Sequence, residues 1–562
     1  MSSIDTPADI IRGSELLNVY RQAFADNCPL PALSDYGGKT LTYEDMARHI
    51  ARIHLFFEAA GLRRGDKVAL LGRNTSYWVC VFMASLTYGT VIVPILNDFN
   101  PVDAAHIINH SDARVLFVNE SIWEHLEPEG LPELKAVVSL DSRKLLFHRD
   151  QRLASFVRNL SRNFSRRYPA GFSRNDIQYA APKDDDTAIL NYTSGTTGFS
   201  KGVMLTYDNI AGNVAFGISS RLHYQGSRAL SFLPLAHAYG CAFDMLVPLA
   251  VGSHVTILGK TPTPSLLIKA LHEVRPNLVV CVPLILEKIY RKMIVPMITK
   301  KPVRWILAVP MLDRAVYSRI RARLVEAFGG EFEEVIIGGA PLNPEVEEFL
   351  YRIKFPFTVG YGMTECGPLI SYTPWREFMP GSAGHTLKGI MTAAIAPDDR
   401  VPGQGEIIVR GQNVMKGYYK NPEATEAAID SEGWLHSGDM GRLGGYDDQT
   451  IFIRGRYKTM ILSSNGQNIY PEEIEAKLNN MPYVAESLVV ERDGKLVALV
   501  YPDREAMDKA NLTDLTLDPV MRENLTDLNS IVAPYEQVTR IQIMPEEFKK
   551  TPKRSIKRFL YS

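Results

Sequence analysis

The chain has 562 residues, of which 46% are hydrophobic and 22% charged, with 62 Lys plus Arg against 63 Asp plus Glu. That length supplies core for two to four domains of roughly 150 residues each. A net charge of -1 excludes a protein built to coat nucleic acid, which needs a standing excess of phosphate-neutralising side chains.

The first residues, MSSIDTPADIIRGSE, carry acids and no apolar stretch of the secretory kind. Cys28, Cys80, Cys241, Cys281 and Cys366 are scattered without CxxC spacing, which argues against a disulfide framework or structural zinc. A cytoplasmic, reducing location is the expectation. From Asn74 to Asn97 no residue is charged, about the length of a membrane span. Gly89 and the β-branched run Thr90–Val93 before Pro94 divide that stretch into a buried helix, a turn and a buried strand. Apolar runs at Lys67–Leu71, Thr90–Ile95, Val115–Val118, Val255–Leu258, Leu278–Val282 and Val335–Ile337 alternate with amphipathic segments. Such alternation predicts an α/β fold with largely parallel sheets covered by helices. His106 and His110, one helical turn apart, have no third ligand nearby and read as an exposed helix face.

Between Arg143 and Arg167 there are eight Lys or Arg and one acid, Asp150. Helical spacing puts Leu153, Phe156, Val157, Leu160 and Phe164 on one face and Arg158, Arg162 and Arg166 opposite. Two readings follow: a surface helix packed on its own domain, or a basic amphipathic helix at an anionic membrane, which would make the protein peripheral.

Near residue 405 the pattern shifts to shorter strands, GEIIVRG, IFIRG and SLVVERDGKLVALVYP, as expected of a small C-terminal α+β domain. We place the boundary at Gly455–Lys458, giving domains 1–457 and 458–562.

The most specific signal is the run Tyr192 to Gly202, YTSGTTGFSKG. Its glycines let backbone N–H groups approach phosphate oxygens, its hydroxyls add donors, and Lys201 adds a positive charge. The spacing is not that of the Walker loop, because Gly198 lies three residues before Lys201 and Gly202 follows it.

With GGAPL (Gly338–Leu342), GYGMTE (Gly360–Glu365), GWLHSGD (Gly433–Asp439), GRYK (Gly455–Lys458) and a basic end around Lys557, the chain resembles the adenylate-forming, AMP-binding superfamily over nearly its whole length. Within that superfamily it is similar to fatty acyl-CoA synthetases. The resemblance implies that ATP and a carboxylate form an acyl adenylate and pyrophosphate, after which a thiol displaces AMP. It implies that Thr193, Ser194, Gly195, Thr196, Thr197, Gly198 and Lys201 hold the β and γ phosphates, that Glu365 binds Mg2+, and that Thr364 meets the α-phosphate. Tyr361 would stack on adenine, lined by Gly339, Ala340 and Pro341, while Asp439 and Arg456 would hold the ribose. His237, in PLAHAYG, matches the aromatic beside the substrate carboxylate.

From Lys549 to Arg558 there are six Lys or Arg. The resemblance assigns one lysine here to the point where the two anions meet. Ser555-Ile556-Lys557 overlays the usual Ser-Gly-Lys and favours Lys557; Ile556 in place of glycine and a segment one residue short keep Lys553 in contention. The small domain is implied to be mobile about a hinge at Lys458, so that one pocket performs both steps. Ile461–Gly466 has an extra residue and lacks a lysine that some relatives carry, which leaves the thiol path open, and Ser200 replaces the common proline. The implied activity is ligation of a fatty acid to coenzyme A, with ATP and Mg2+. The alternatives are transfer to a separate acyl carrier protein, another carboxylate such as an aryl acid, or a non-catalytic nucleotide-binding protein. The last predicts erosion of Lys201, Glu365 and Asp439, all of which are present. About five residues follow Lys557, so a fused carrier domain is not expected.

Overall fold

The computed structural model describes residues 10–193, 201–299, 312–397, 404–445, 447–462, 468–492, 494–551 and 556–561. Contacts divide it into two units, the larger containing most of the chain before Leu435.

The strands of the larger unit's two main sheets are β1 (Pro31–Asp35), β2 (Thr40–Thr42), β3 (Lys67–Leu71), β4 (Val91–Ile95), β5 (Ala113–Val118), β6 (Ala136–Ser139), β7 (Leu145–His148), β8 (Thr187–Thr193), β9 (Lys201–Thr206), β10 (Arg228–Ser231), β11 (His254–Ile257), β12 (Leu278–Cys281), β13 (Glu334–Ile337), β14 (Phe357–Val359) and β15 (Gly417–Tyr418). One sheet runs β15–β9–β8–β4–β3–β5–β6–β7 and the other β14–β13–β12–β10–β11–β1–β2. Within them β8–β4–β3–β5–β6 and β14–β13–β12–β10–β11–β1 are parallel, with antiparallel strands only at the edges. All six apolar runs expected to be parallel strands are parallel strands.

The reason is visible in β3 and β4. Val68, Ala69, Leu70, Leu71, Ile92 and Val93 are fully buried, which demands helices on both faces. One of those helices is Ser76–Tyr88. Thr75 accepts the Trp78 N–H at 3.1 Å to start it, and Gly89, at φ +89°, ends it. It is apolar all round because it is buried all round. Among the described residues no helix is long and apolar enough to cross a membrane.

Two expectations need correction. His110 is not on an exposed face: its Nδ1 lies 2.7 Å from the Tyr192 hydroxyl, because the parallel pairing β4–β8 brings the end of β8 under the helix Pro101–His110. The Arg143–Arg167 segment is not one helix either. It begins with β7 and then forms helices Gln151–Arg158 and Leu160–Arg167, broken at Asn159 with φ -104° and ψ 15°. Leu153 and Phe164 are buried, Phe156, Val157 and Leu160 half-buried, and the Arg52 guanidinium of the neighbouring helix Tyr43–Ala59 lies 4.9 Å from the Phe164 ring. The apolar side is therefore spent on the protein itself, while Arg158, Arg162, Arg166 and Arg167 stay exposed.

The second unit gathers His436–Ser562 with Ala393–Ile408. From His436 on, it includes the hairpin of strands Leu435–Gly444 and Thr450–Arg456, which pair antiparallel with each other. Its other sheet joins Val484–Arg492, Lys495–Pro502 and Arg540–Ile543. Alternate residues divide between two cores. Val489, Ala498 and Val500 pack with Ile474 of helix Pro471–Leu478 and with Leu517 and Leu528 of helix Asp514–Ile531. Leu488, Val490, Val497 and Leu499 pack under Phe548 and, from the chain's last residues, Ile556 and Tyr561.

His223 is 3% exposed, and burial lowers its ring to about 4. An unfolded histidine binds a proton near 6.5, so this site's contribution to stability is full above that pH and is lost as pH falls towards 4. Between pH 7 and pH 5 we expect a loss of about 2 kcal/mol from it. His223→Leu should show a smaller acid shift in its urea midpoint than the parent protein; equal shifts would refute the assignment.

Candidate active site

Four neighbouring strands, β14, β13, β12 and β10, run parallel, so the loops that leave their C-terminal ends emerge along one edge of the sheet. These loops carry Tyr361 to Glu365 after β14, Gly339, Ala340 and Pro341 after β13, and His237 after β10. The fold thus brings together residues that the sequence scatters. Gly338 N–H donates to Cys281 C=O at 3.1 Å and Gly360 N–H to Ile337 C=O at 2.9 Å, each tying a loop to the next strand. The Tyr239 hydroxyl donates to Ile336 C=O at 3.2 Å beneath them. Gly339, at φ +84°, turns the chain so that Gly339, Ala340 and Pro341 are exposed. Gly362 is needed for a different reason: a Cβ there would lie 2.2 Å from the Pro368 carbonyl oxygen.

Tyr361 and Thr364 are buried at 8% and 5% exposure, and Glu365 is half-buried in the turn Thr364–Cys366. Glu365 Oε1 accepts the Tyr418 hydroxyl at 2.9 Å, and its carbonyl accepts Met415 N–H at 2.8 Å. Tyr418 on β15 pairs with Val203 of β9, the strand that Lys201 begins. Lys201 Nζ lies 4.8 Å from the centre of the Tyr418 ring. Burial, followed by the negative charge of Glu365, pushes the Tyr418 phenol well up, so it stays a hydrogen-bond donor. Tyr418 thus connects Lys201 with Glu365. The sequence reading missed it; adjacent tyrosines between Lys416 and Lys420 were the available signal.

Thr193 and Lys201 are Cα partners at the ends of β8 and β9, so the two ends of the predicted phosphate loop are held together. Ser194, Gly195, Thr196, Thr197 and Gly198 lie outside the described residues. His237 is half-buried and caps the short helix Ala238–Cys241, its Nδ1 accepting Tyr239 N–H at 3.3 Å.

Two buried asparagines hold this edge in place. Helix Tyr207–Ser219 follows β9. Its Asn209 donates to Gln412 and Val414 carbonyls, both at 2.8 Å, while Asn213 donates to Cys366 C=O at 3.2 Å and accepts Leu369 N–H at 3.0 Å.

In the smaller unit, Asp439 and Arg456 are cross-strand partners, with Arg456 Nε 3.1 Å from Asp439 Oδ1. Asp439 is buried and Arg456 exposed. Lys458 lies exposed in the turn that follows. Lys557 is half-buried, with its N–H on Lys549 C=O at 2.9 Å; Lys553 lies outside the described residues.

An edge of parallel strands presenting these motifs is the arrangement of an adenylate-forming enzyme. The family model described as AMP-binding enzyme matches residues 20–419, most of the chain, and the protein belongs to that family. Among curated proteins it is 27% identical to long-chain-fatty-acid–CoA ligase FadD15 of Mycobacterium bovis, over 92% of this chain and 90% of that one. It is 29% identical to human long-chain-fatty-acid–CoA ligase 6, over 78% and 66%. The fold is shared with the ATP-bound MatB of Rhodopseudomonas palustris, at TM-score 0.74 and 21% identity over 97% and 98% of the two chains. It is shared too with the anthranilate CoA ligase AuaEII in complex with anthranoyl-AMP, at TM-score 0.75 and 18% identity over 100% and 98%.

Tyr418→Phe removes the hydroxyl from Glu365 and keeps the ring under Lys201. A hydrogen bond to a charged group contributes about 1.5–3 kcal/mol, so carboxylate-dependent ATP–pyrophosphate exchange should fall by about tenfold or more. Tyr418→Leu should fall further. Unchanged exchange in both variants would show that the bridge has no part in the site.

Proposed function

We propose that this protein is an acid–thiol ligase that activates a fatty acid with ATP and transfers the acyl group to coenzyme A, releasing AMP and pyrophosphate. The observation that carries this reading is the gathering of His237, Gly339–Pro341, Tyr361, Thr364 and Glu365 on one sheet edge, with Lys201 joined to Glu365 through Tyr418.

A carboxylate is a weak nucleophile facing a triphosphate of the same sign, so acceleration must come from positive charge and positioning. In the first step a carboxylate oxygen bonds to the α-phosphorus and the bond to pyrophosphate breaks. Lys201, Thr193 and the loop Ser194–Gly198 hold the β and γ phosphates. Tyr361 stacks on adenine against Gly339, Ala340 and Pro341, Thr364 meets the α-phosphate, and Asp439 with Arg456 holds the ribose. His237 lies beside the acyl carboxylate. The half-buried Glu365 carboxylate, oriented by Tyr418, offers the hard oxygen that Mg2+ favours; when bound, the ion neutralises phosphate charge. Lys557 brings a cation to the point where carboxylate and α-phosphate meet, an interaction that is strongest in the transition state. In the second step the thiol sulfur of coenzyme A bonds to the acyl carbon, loses its proton, and AMP leaves. Domains 1–457 and 458–562 turn about Lys458 between the steps, so that a second face of the small domain serves the thiol.

The curated relatives named as long-chain-fatty-acid–CoA ligases favour a fatty acid. The fold match to an anthranilate CoA ligase makes an aryl acid the second reading. The exposed arginines of helices Gln151–Arg158 and Leu160–Arg167 offer positive charge to an anionic membrane that supplies the acid.

Carboxylate-dependent pyrophosphate release, measured over fatty acids of increasing length and several aryl acids, tests the reading. Release should rise with fatty acids, and thioester should form with coenzyme A and not with acyl carrier protein. No stimulation by any carboxylate would overturn it. Lys557→Ala should lower release by about a hundredfold or more, to a residual rate that is still measurable, while Lys553→Ala retains it; the reverse would move the role to Lys553. Binding to anionic vesicles should weaken as salt rises and be absent with neutral vesicles; equal retention by both would refute an electrostatic contact.

A further inference from the structure

The chain's last residues fold back onto the small unit, and what holds them is more elaborate than a basic tail requires. Arg558 lies next to Lys557 and points inward. Its Nη2 lies 2.6 Å from Glu475 Oε1 and 2.5 Å from Oε2, and its Nη1 donates to Val489 C=O at 3.2 Å. Glu475 Oε1 also accepts Val489 N–H at 2.6 Å. The side chains are 23% and 12% exposed, so the pair lies largely out of water. Burial pushes the Glu475 carboxyl up to about 7, against the pull of Arg558 and the Val489 N–H. One guanidinium nitrogen meets both carboxylate oxygens while another reaches the Val489 carbonyl, two simultaneous contacts that an ammonium with its single nitrogen does not reproduce.

On the other side of Lys557, Ile556 packs into the core under Leu488 and Val490 and bridges Lys550, whose Nζ is 2.6 Å from Glu486 Oε1. Lys557 N–H closes the loop on Lys549 C=O at 2.9 Å, and Lys549 N–H donates to the Tyr561 hydroxyl at 2.8 Å. Lys557 is therefore a single residue between two inward anchors, Ile556 and Arg558. Glu472, one turn before Glu475 on the same helix, lies 3.6 Å from Arg558 Nη2 and accepts the Thr459 hydroxyl at 2.7 Å. Thr459 directly follows Lys458. The same helix thus holds both the tail and the turn at the expected hinge.

We propose that Glu475 and Arg558 are positioning residues for the adenylation step: their ion pair fixes the backbone from which Lys557 reaches, and they touch no substrate themselves. The proposal rests on Lys557 as the adenylation lysine. It predicts an effect on one half-reaction only, because thioester formation uses another face of the small domain.

The test measures both half-reactions in the full-length protein: carboxylate-dependent pyrophosphate release, and thioester formation from supplied acyl adenylate and coenzyme A. Arg558→Ala and Glu475→Gln should lower the first by about tenfold or more and leave the second within about twofold, with Arg558→Lys between Arg558→Ala and the parent. Retained thioester formation reports an intact fold, and if Arg558→Ala loses both activities, Arg558→Lys carries the comparison. In a Lys557→Ala background, Arg558→Ala should lower adenylation no further, because a residue that acts through another is non-additive with it. A further loss in that background, or equal loss of both half-reactions in Arg558→Lys and Glu475→Gln, would overturn the proposal. Full adenylation by Lys557→Ala would overturn it as well, and would place the error in the lysine assignment before Arg558 is altered.

Discussion

The edge that presents the site depends on hydrogen bonds from one helix. Tyr207–Ser219 follows β9 directly, and its buried Asn209 and Asn213, one turn apart, reach two loops that are distant in sequence: the turn that carries Thr364 and Glu365, and the segment that leads into Tyr418. A primary amide suits the task because it both donates and accepts, and a buried loop carbonyl or N–H left without a partner costs about 1–3 kcal/mol. Asn413, fully buried, closes the arrangement by donating to Leu369 C=O at 2.8 Å. Loops are ordinarily the mobile part of a fold. Here the loops that matter are tied through backbone atoms to a rigid helix, so Glu365 and Tyr418 meet without depending on their own flexibility.

Parallel topology supplies the second condition. β10, β12, β13 and β14 are adjacent and all run the same way, so four connections open on one side. Such a sheet must be buried on both faces, which explains why its strands are continuous apolar runs and why helix Ser76–Tyr88 is apolar all round. The polar chemistry is confined to the ends of the strands, where backbone groups run out of ladder partners and glycines such as Gly339 and Gly362 allow sharp changes of direction.

The smaller unit works by a different logic. Its three-stranded sheet has two faces; one is covered by helices and the other by Phe548 and the chain's last residues. Covering a sheet face with the tail buries apolar area and at the same time fixes where the basic end of the chain lies. Arg558 and Lys550 are used in ion pairs within the unit. Of the six basic residues that read as one patch in the sequence, these two are thus taken up by structural pairing.

The sequence by itself determined the parallel strands, the buried helix–turn–strand from Asn74 to Asn97 and the order of the motifs, because each is written in a short window: a run of apolar residues, a glycine, a β-branched cluster. The family followed from that order. Only the tertiary structure decided which residues meet. Tyr418 between Lys201 and Glu365, His110 on Tyr192, and Arg558 on Glu475 are contacts between segments far apart in the chain, and hydrophobic periodicity carries no record of such partners. The basic segment shows the same limit from the other side. Its helical periodicity was legible, and a face packed on the protein was one of its two readings, but the break at Asn159 was not. An apolar stripe fixes that a face must be covered, and only packing fixes by what.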